Sequence, residues 1–191
     1  MNYGPLLFLG ILFTLASGWV GLVITPQKQL GAMTPFVNTN TTAMYPLAPS
    51  GEAQQGAEVY RSLGCVYCHS QQVRTENHGG DIARNWGKRR SVSRDYLFGK
   101  PVMLGTSRTG PDLTNIGERE PSAEWHLRHL YNPQITSSGS LMPPYPFLFE
   151  KRPIGRFGPS TNALVLPPKF AAEPGYEVLP DRKSTRLNSS H

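Results

Sequence analysis

The chain has 191 residues, a formal charge of +6 and only two cysteines; its 19 glycines and 18 prolines are about a fifth of it, against an average of about 12%. That length suits one domain, or one domain plus an anchor, and so much Gly and Pro leaves few stretches able to run as long helices or strands. No Arg-rich stripe, base-stacking module, P-loop, nucleophile elbow or Ser/His/Asp arrangement is present, so nucleic acid is excluded as a partner and hydrolytic chemistry has no support.

Residues 5–24, PLLFLGILFTLASGWVGLVI, are 20 positions without a charge. As a helix they span about 30 Å, the thickness of a bilayer core, and predict a transmembrane anchor. Gly10, Gly18 and Gly21 let a neighbouring helix approach closely in lipid, and Trp19 suits an interface. A cleaved secretory signal would carry Lys or Arg ahead of a shorter apolar run, and MNYG lacks both. Residues 26–49 are rich in Pro, Thr and Asn with almost no charge, and read as an extended tether. Ser50 then caps a short helix with Ala53, Ala57, Tyr60 and Leu63 roughly on one face, and Gly64 ends it in a left-handed conformation.

That helix delivers the chain to GCVYCHS, where Cys65 and Cys68 are followed at once by His69. Three chemistries compete for this stretch. Structural zinc needs four ligands, and the chain has no second C-x-x-C and no finger-like spacing among His78, His126, His129 and His191. A thiol-redox pair opens a helix in a βαβ context, whereas this pair follows one. Covalent haem c uses every residue of the motif: two thiols form thioethers to the porphyrin and the adjacent imidazole ligates iron. A plain disulfide is the remaining alternative. A small loop-rich domain makes a poor core by itself, and a haem is an apolar body large enough to fill one.

Residues 70–108 form a long polar insertion carrying Arg84, Lys88, Arg89, Arg90 and Arg94. A solvated loop is the ordinary reading of such a run, and a docking surface for an acidic partner or lipid head groups is the functional one. RTGPDLTNIG (108–117) reads as an ordered loop, and PSAEWHLRHLYNP (121–133) as a helix ending before Pro133. His126 and His129 on it lack further ligands nearby and read as ordinary helix residues. Residues 133–160 return to loop, with LMPPYPF held stiff by its prolines. An electron carrier often closes its second axial site with a thioether. Met1 lies at the wrong end, Met33 and Met44 lie in the tether, and Met103 and Met142 remain. Met142 has the better claim because the stiff strap can hold a sulfur in place, although an isolated methionine often only fills a gap.

GCVYCHSQQVR, RTGPDLTNIG, EWHLRHLYNP and LMPPYPFL, in this order behind an N-terminal anchor, resemble the monohaem subunit II of cbb(3)-type cytochrome c oxidases, from the anchor to about residue 180. The resemblance implies one covalently bound haem c, with Cys65 and Cys68 as thioether positions and His69 and Met142 as axial iron ligands. It implies a mainly α fold, with one transmembrane helix (5–24), a tether (26–49) and a loop-rich class I cytochrome c-like domain (50–180) containing the 70–108 insertion. In class I cytochromes the Pro of GP offers its carbonyl to the ligating imidazole, and Pro111 matches that position.

The implied partners are a dihaem cytochrome c subunit and a catalytic subunit with haem b and haem b–copper centres. The chain itself is a non-catalytic relay in a complex that reduces oxygen to water. Its place is the bacterial inner membrane, single-pass, with the haem domain on the periplasmic side. A freestanding membrane-anchored cytochrome c shuttle shares the haem and the anchor, but has no need of the 39-residue insertion. One departure stands out. After EPGYEVLP a closing amphipathic helix is expected, yet DRKSTRLNSSH (181–191) has no apolar face and reads as a non-native disordered tail, leaving the domain without its C-terminal helix.

Overall fold

The computed structural model describes residues 2–37, 39 and 42–181. The chain divides into two units, residues 1–48 with 92–100 and residues 49–91 with 101–191.

The first unit is dominated by helix α1, Gly4–Gly31, 28 residues long with its most apolar stretch entirely unburied. At 1.5 Å per residue it measures about 42 Å, more than the roughly 30 Å a bilayer core requires. The charge-free stretch predicted over 5–24 therefore lies inside a longer helix, and residues 26–31 of the predicted extended tether are helical. Pro26 explains how. In a regular helix its ring would press on a carbonyl one turn back, and it has no N–H to give. Here a π-turn over Val20–Ile24 widens the helix just before it, and Thr25 bonds the Val20 carbonyl through its N–H and, at 2.8 Å, through its hydroxyl.

Two short antiparallel strands follow, β1 (Phe36–Val37) and β2 (Met44–Tyr45), with Phe36 opposite Tyr45 and their rings edge to face at 5.9 Å. Tyr45 Oη donates to Asp95 at 2.7 Å, and the Arg94 guanidinium lies 4.9 Å over the Phe36 ring. Segment 92–100 thus belongs to this unit. The insertion read as one piece over 70–108 is divided between the units: Arg94 belongs to this one and Arg84, Lys88, Arg89 and Arg90 to the other.

In the second unit helix α2 spans Gly51–Ser62, and Ser50 caps it by accepting the Ala53 N–H at 3.2 Å. Tyr60 is buried on its inner face, and Gly64 ends the segment at φ 77°. A Cβ at Gly64 would lie 3.0 Å from the Tyr67 ring, so both backbone and space require glycine there. A single turn, α3 (Ile116–Arg119), precedes α4 (Ala123–Tyr131), whose Ser122 cap accepts from Trp125 N–H at 3.2 Å.

Residues 133–160 are not all loop. Strand β3 (Phe149–Pro153) pairs antiparallel with β4 (Tyr176–Pro180), Phe149 opposite Pro180 and Pro153 opposite Tyr176. FEKRP has no alternating apolar pattern, so its strand character comes from a partner supplied more than twenty residues later. Glu177 on β4 is buried and accepts Arg152 Nε at 3.0 Å and the Ser160 N–H at 2.6 Å, which hold its carboxyl below the usual range.

The buried apolar cluster is small: Tyr60, Cys65 and Leu148, with Val59, Leu63, Met103, Leu130 and Tyr145 packed around it. The last described element is β4, followed by the Asp181 N–H bonding the Leu148 carbonyl at 3.0 Å. The reading of 181–191 as a tail lies, beyond Asp181, outside the described residues. Helices, loops and some strands are what these elements establish.

Candidate haem site

Past Gly64 the chain makes a tight 3-10 turn over Cys65–Tyr67, in which the Cys68 and His69 N–H groups both bond the Cys65 carbonyl, at 3.1 and 3.0 Å. The turn places Cys65 inward, buried, and Cys68 at the surface, both as free thiols. Burial pushes the Cys65 thiol up to about 11, the reverse of the depressed value that activates a redox cysteine. Among the described residues no three His, Cys, Asp or Glu side chains cluster as a metal site, so the zinc reading finds no further ligands.

A second segment is laced onto this turn by backbone bonds: Gln71 N–H to Leu104 O at 3.0 Å, Thr106 N–H to Val66 O at 3.1 Å, Gly110 N–H to Cys68 O at 2.8 Å and Leu113 N–H to Ser70 O at 2.9 Å. The Ser107 hydroxyl adds a bond to Tyr67 O at 2.6 Å. Gly110 and Gly105 permit the close approach. A Cβ on Gly110 would overlap the His69 ring, and one on Gly105 would overlap the His69 carbonyl.

The imidazole thus lies against bare backbone, and its Nδ1–H donates to the Pro111 carbonyl at 2.8 Å. A carbonyl only accepts, so Nδ1 carries the proton and Nε2 keeps the lone pair. An imidazole held in this way is prepared to ligate a metal through Nε2. Two free thiols, a ring cradled on a glycine and a fixed tautomer fit a haem iron with thioether attachment.

The strap bearing Met142 reaches the same region through Tyr145, which packs against the Tyr60–Cys65–Leu148 cluster. Its N–H bonds the Leu130 carbonyl at 2.9 Å, tying the strap to α4. Met142 is half-buried, with its N–H on Ser140 Oγ at 3.2 Å, between exposed Leu141 and Pro143. Met103 packs instead against the Tyr60–Cys65–Leu148 cluster. So Cys65, Cys68, His69 and Pro111 are brought together directly, and Met142 only by way of its strap.

His126 Nε2 bonds the Glu120 carbonyl at 2.7 Å. His129 stacks on Trp125 at 4.7 Å and bonds Thr136 Oγ1 at 2.5 Å; burial, with His69 and His126 nearby, lowers it to about 4. Both are structural residues of α4.

Residues 6–156 match the family described as cytochrome C oxidase, mono-heme subunit/FixO. The chain belongs to this family. No curated protein matches it. As a FixO-family chain it is a cytochrome c oxidase subunit of electron transport, it carries one haem, and it assembles with other oxidase subunits. Helix α1 is compatible with a single-pass membrane anchor. Strand β4 lies beyond the matched residues.

Sequence reasoning missed Gly110 against the His69 ring, the Ser70–Asp112 bond beside it, and Asp81 with Arg108, which bonds the Gln72 carbonyl. The signal for Asp112 was present in GPDL, since an Asp two residues before Thr114 can accept that residue's N–H, as it does at 2.8 Å.

Proposed function

We propose that this FixO-family chain is the relay subunit of a cbb(3)-type haem–copper oxidase. It accepts electrons from a dihaem cytochrome c subunit and delivers them to the haem b and haem b–copper centres of the catalytic subunit. The observation that carries this reading is the His69 Nδ1–H bond to the Pro111 carbonyl, 2.8 Å, beside two free thiols. Cys65 and Cys68 would hold a haem c through thioethers, in a class I cytochrome c-like domain. His69 Nε2 and the Met142 sulfur would donate to the iron, Met103 being engaged in the core. The haem supplies one-electron redox chemistry.

The chain's own residues do the rest. The Pro111 carbonyl holds the imidazole proton, Gly110 leaves room for the ring, and the Pro-rich strap restrains Met142. With His69 and Met142 both held for the iron, oxygen would have no open place to bind, so the chain alone would not reduce it. The haem domain faces the periplasm, where covalent attachment takes place, and α1 contacts a larger helical subunit.

The haem should stay with the polypeptide after acid extraction of the full-length membrane protein, and Cys65→Ala with Cys68→Ala should release it. Met142→Leu should abolish the ferric near-infrared sulfur-to-iron band and leave the haem attached. Freely extractable haem would sink the thioether assignment. Loss of the band in Met103→Leu alone would move the ligand to Met103.

A further inference from the structure

Asp112 is wholly buried and both its carboxylate oxygens are engaged. Oδ2 accepts the Ser70 hydroxyl at 2.6 Å and the Gln72 N–H at 2.8 Å, and Oδ1 accepts the Thr114 N–H at 2.8 Å. These partners have a pattern. Ser70 follows His69 and Asp112 follows Pro111, so the Ser70–Asp112 bond runs one residue along from the His69–Pro111 bond. The backbone bond from Leu113 N–H to Ser70 O continues the same seam, and that from Gly110 N–H to Cys68 O begins it.

Behind the seam stands Arg108. Its Nη1 is 2.6 Å from Asp81 Oδ2, and its Nη2 bonds the Gln72 carbonyl and lies 3.8 Å from Asp112 Oδ2. Asp81, also fully buried, takes the Arg74 N–H at 2.8 Å and the Arg74 guanidinium at 2.9 Å. Burying two carboxylates against partly exposed guanidinium groups adds little net stability. A buried polar set whose members are all bonded does hold one geometry.

We propose that Asp112, buttressed by Arg108 and Asp81, is a positioning residue that holds the Pro111 carbonyl on the His69 Nδ1–H and thereby sets the donor strength of the imidazole. The inference rests on His69 being the iron ligand. A firm Nδ1–H···O bond makes Nε2 the better donor and favours ferric iron, so loosening it raises the potential.

The test uses the full-length, haem-loaded protein in detergent, with two readouts: solvent exchange of the His69 Nδ1 proton by NMR in the ferrous state, and the midpoint potential. Asp112→Asn should speed that exchange by about tenfold, the factor expected for losing one hydrogen bond to a charged group, and should raise the potential. Ser70→Ala, which removes one bond only, should move both readouts the same way by less. Glu177→Gln removes another buried carboxylate, held by Arg152 and Ser160 away from this seam; it should lower thermal stability and leave both readouts unchanged.

Wild-type exchange and potential in both Asp112→Asn and Ser70→Ala would overturn the inference, as would equal shifts in Glu177→Gln. Should Asp112→Asn fail to retain haem, Ser70→Ala decides alone. Absence of a haem-shifted His69 proton in the unsubstituted protein would overturn the ligand reading and this inference together, and it is recognisable before any substitution is made.

Discussion

A single hydrogen atom in place of a methyl group at Gly110 governs the His69 ring, because a Cβ there would occupy the space the imidazole fills. Gly110→Ala should therefore displace His69 from the Pro111 carbonyl and reduce the haem-to-protein ratio of the purified chain, measured by pyridine haemochrome. A ratio equal to the unsubstituted protein would show that the ring does not lie on Gly110. His129 yields a pH dependence. Its ordinary value of 6.5 falls to about 4 in the fold, chiefly through burial. Below 6.5 the unfolded chain binds a proton that the folded chain refuses, so this contribution is complete above 6.5 and is lost as pH falls towards 4. The melting temperature should drop over that window, and His129→Gln should flatten the drop. An unchanged slope in His129→Gln would assign the acid sensitivity to other groups.

At the scale of elements, the helices followed from local chemistry and the strands did not. Ser50 and Ser122 cap α2 and α4 where serines precede helical runs, because capping is decided within one turn of chain. Strand β3 is chosen by β4 and not by its own residues, so no local pattern announces it. The end of α1 was missed for a different reason: Pro26 reads as a breaker, yet the π-turn before it lets the helix continue. Within the second unit Leu148 is fully buried against Tyr60 and Cys65, with its carbonyl bonded to the Asp181 N–H beyond β4. Leu148→Ala should cost about 2–5 kcal/mol in chemical denaturation. Val165→Ala, at a position 67% exposed, should stay within about 0.5 kcal/mol. Equal costs for the two would mean that the small cluster is not the core of the second unit.

For the whole molecule the expectation is assembly. A relay must lie between a donor and an acceptor, and one haem stores one electron, whereas reducing oxygen to water takes four. The full-length protein should co-purify in mild detergent with a multi-haem complex, and its deletion should abolish oxidase activity while the isolated chain stays inert towards oxygen. A reporter fused after residue 60 should be active only if it works in the periplasm. Purification as a lone species from intact membranes, with oxidase activity surviving deletion, would favour the freestanding shuttle.

The residues alone determined what short-range chemistry can determine. The charge-free run inside α1, the Ser50 cap, and two thiols beside an imidazole are each legible within about twenty positions, and four motif blocks in order carried the resemblance to a monohaem oxidase subunit. Pro111 was named from resemblance, and the fold supplied its bond to His69 across 42 positions of sequence. What only tertiary structure decided was how distant segments close on that bond: the ring on Gly110, the Ser70–Asp112 pin, the buried Asp81 beneath Arg108, and segment 92–100 joining the N-terminal unit. These depend on contacts between residues far apart in the chain. A carboxylate reads alike in sequence whether it ends in water or buried between two arginines, and only the folded path of the chain distinguishes the two.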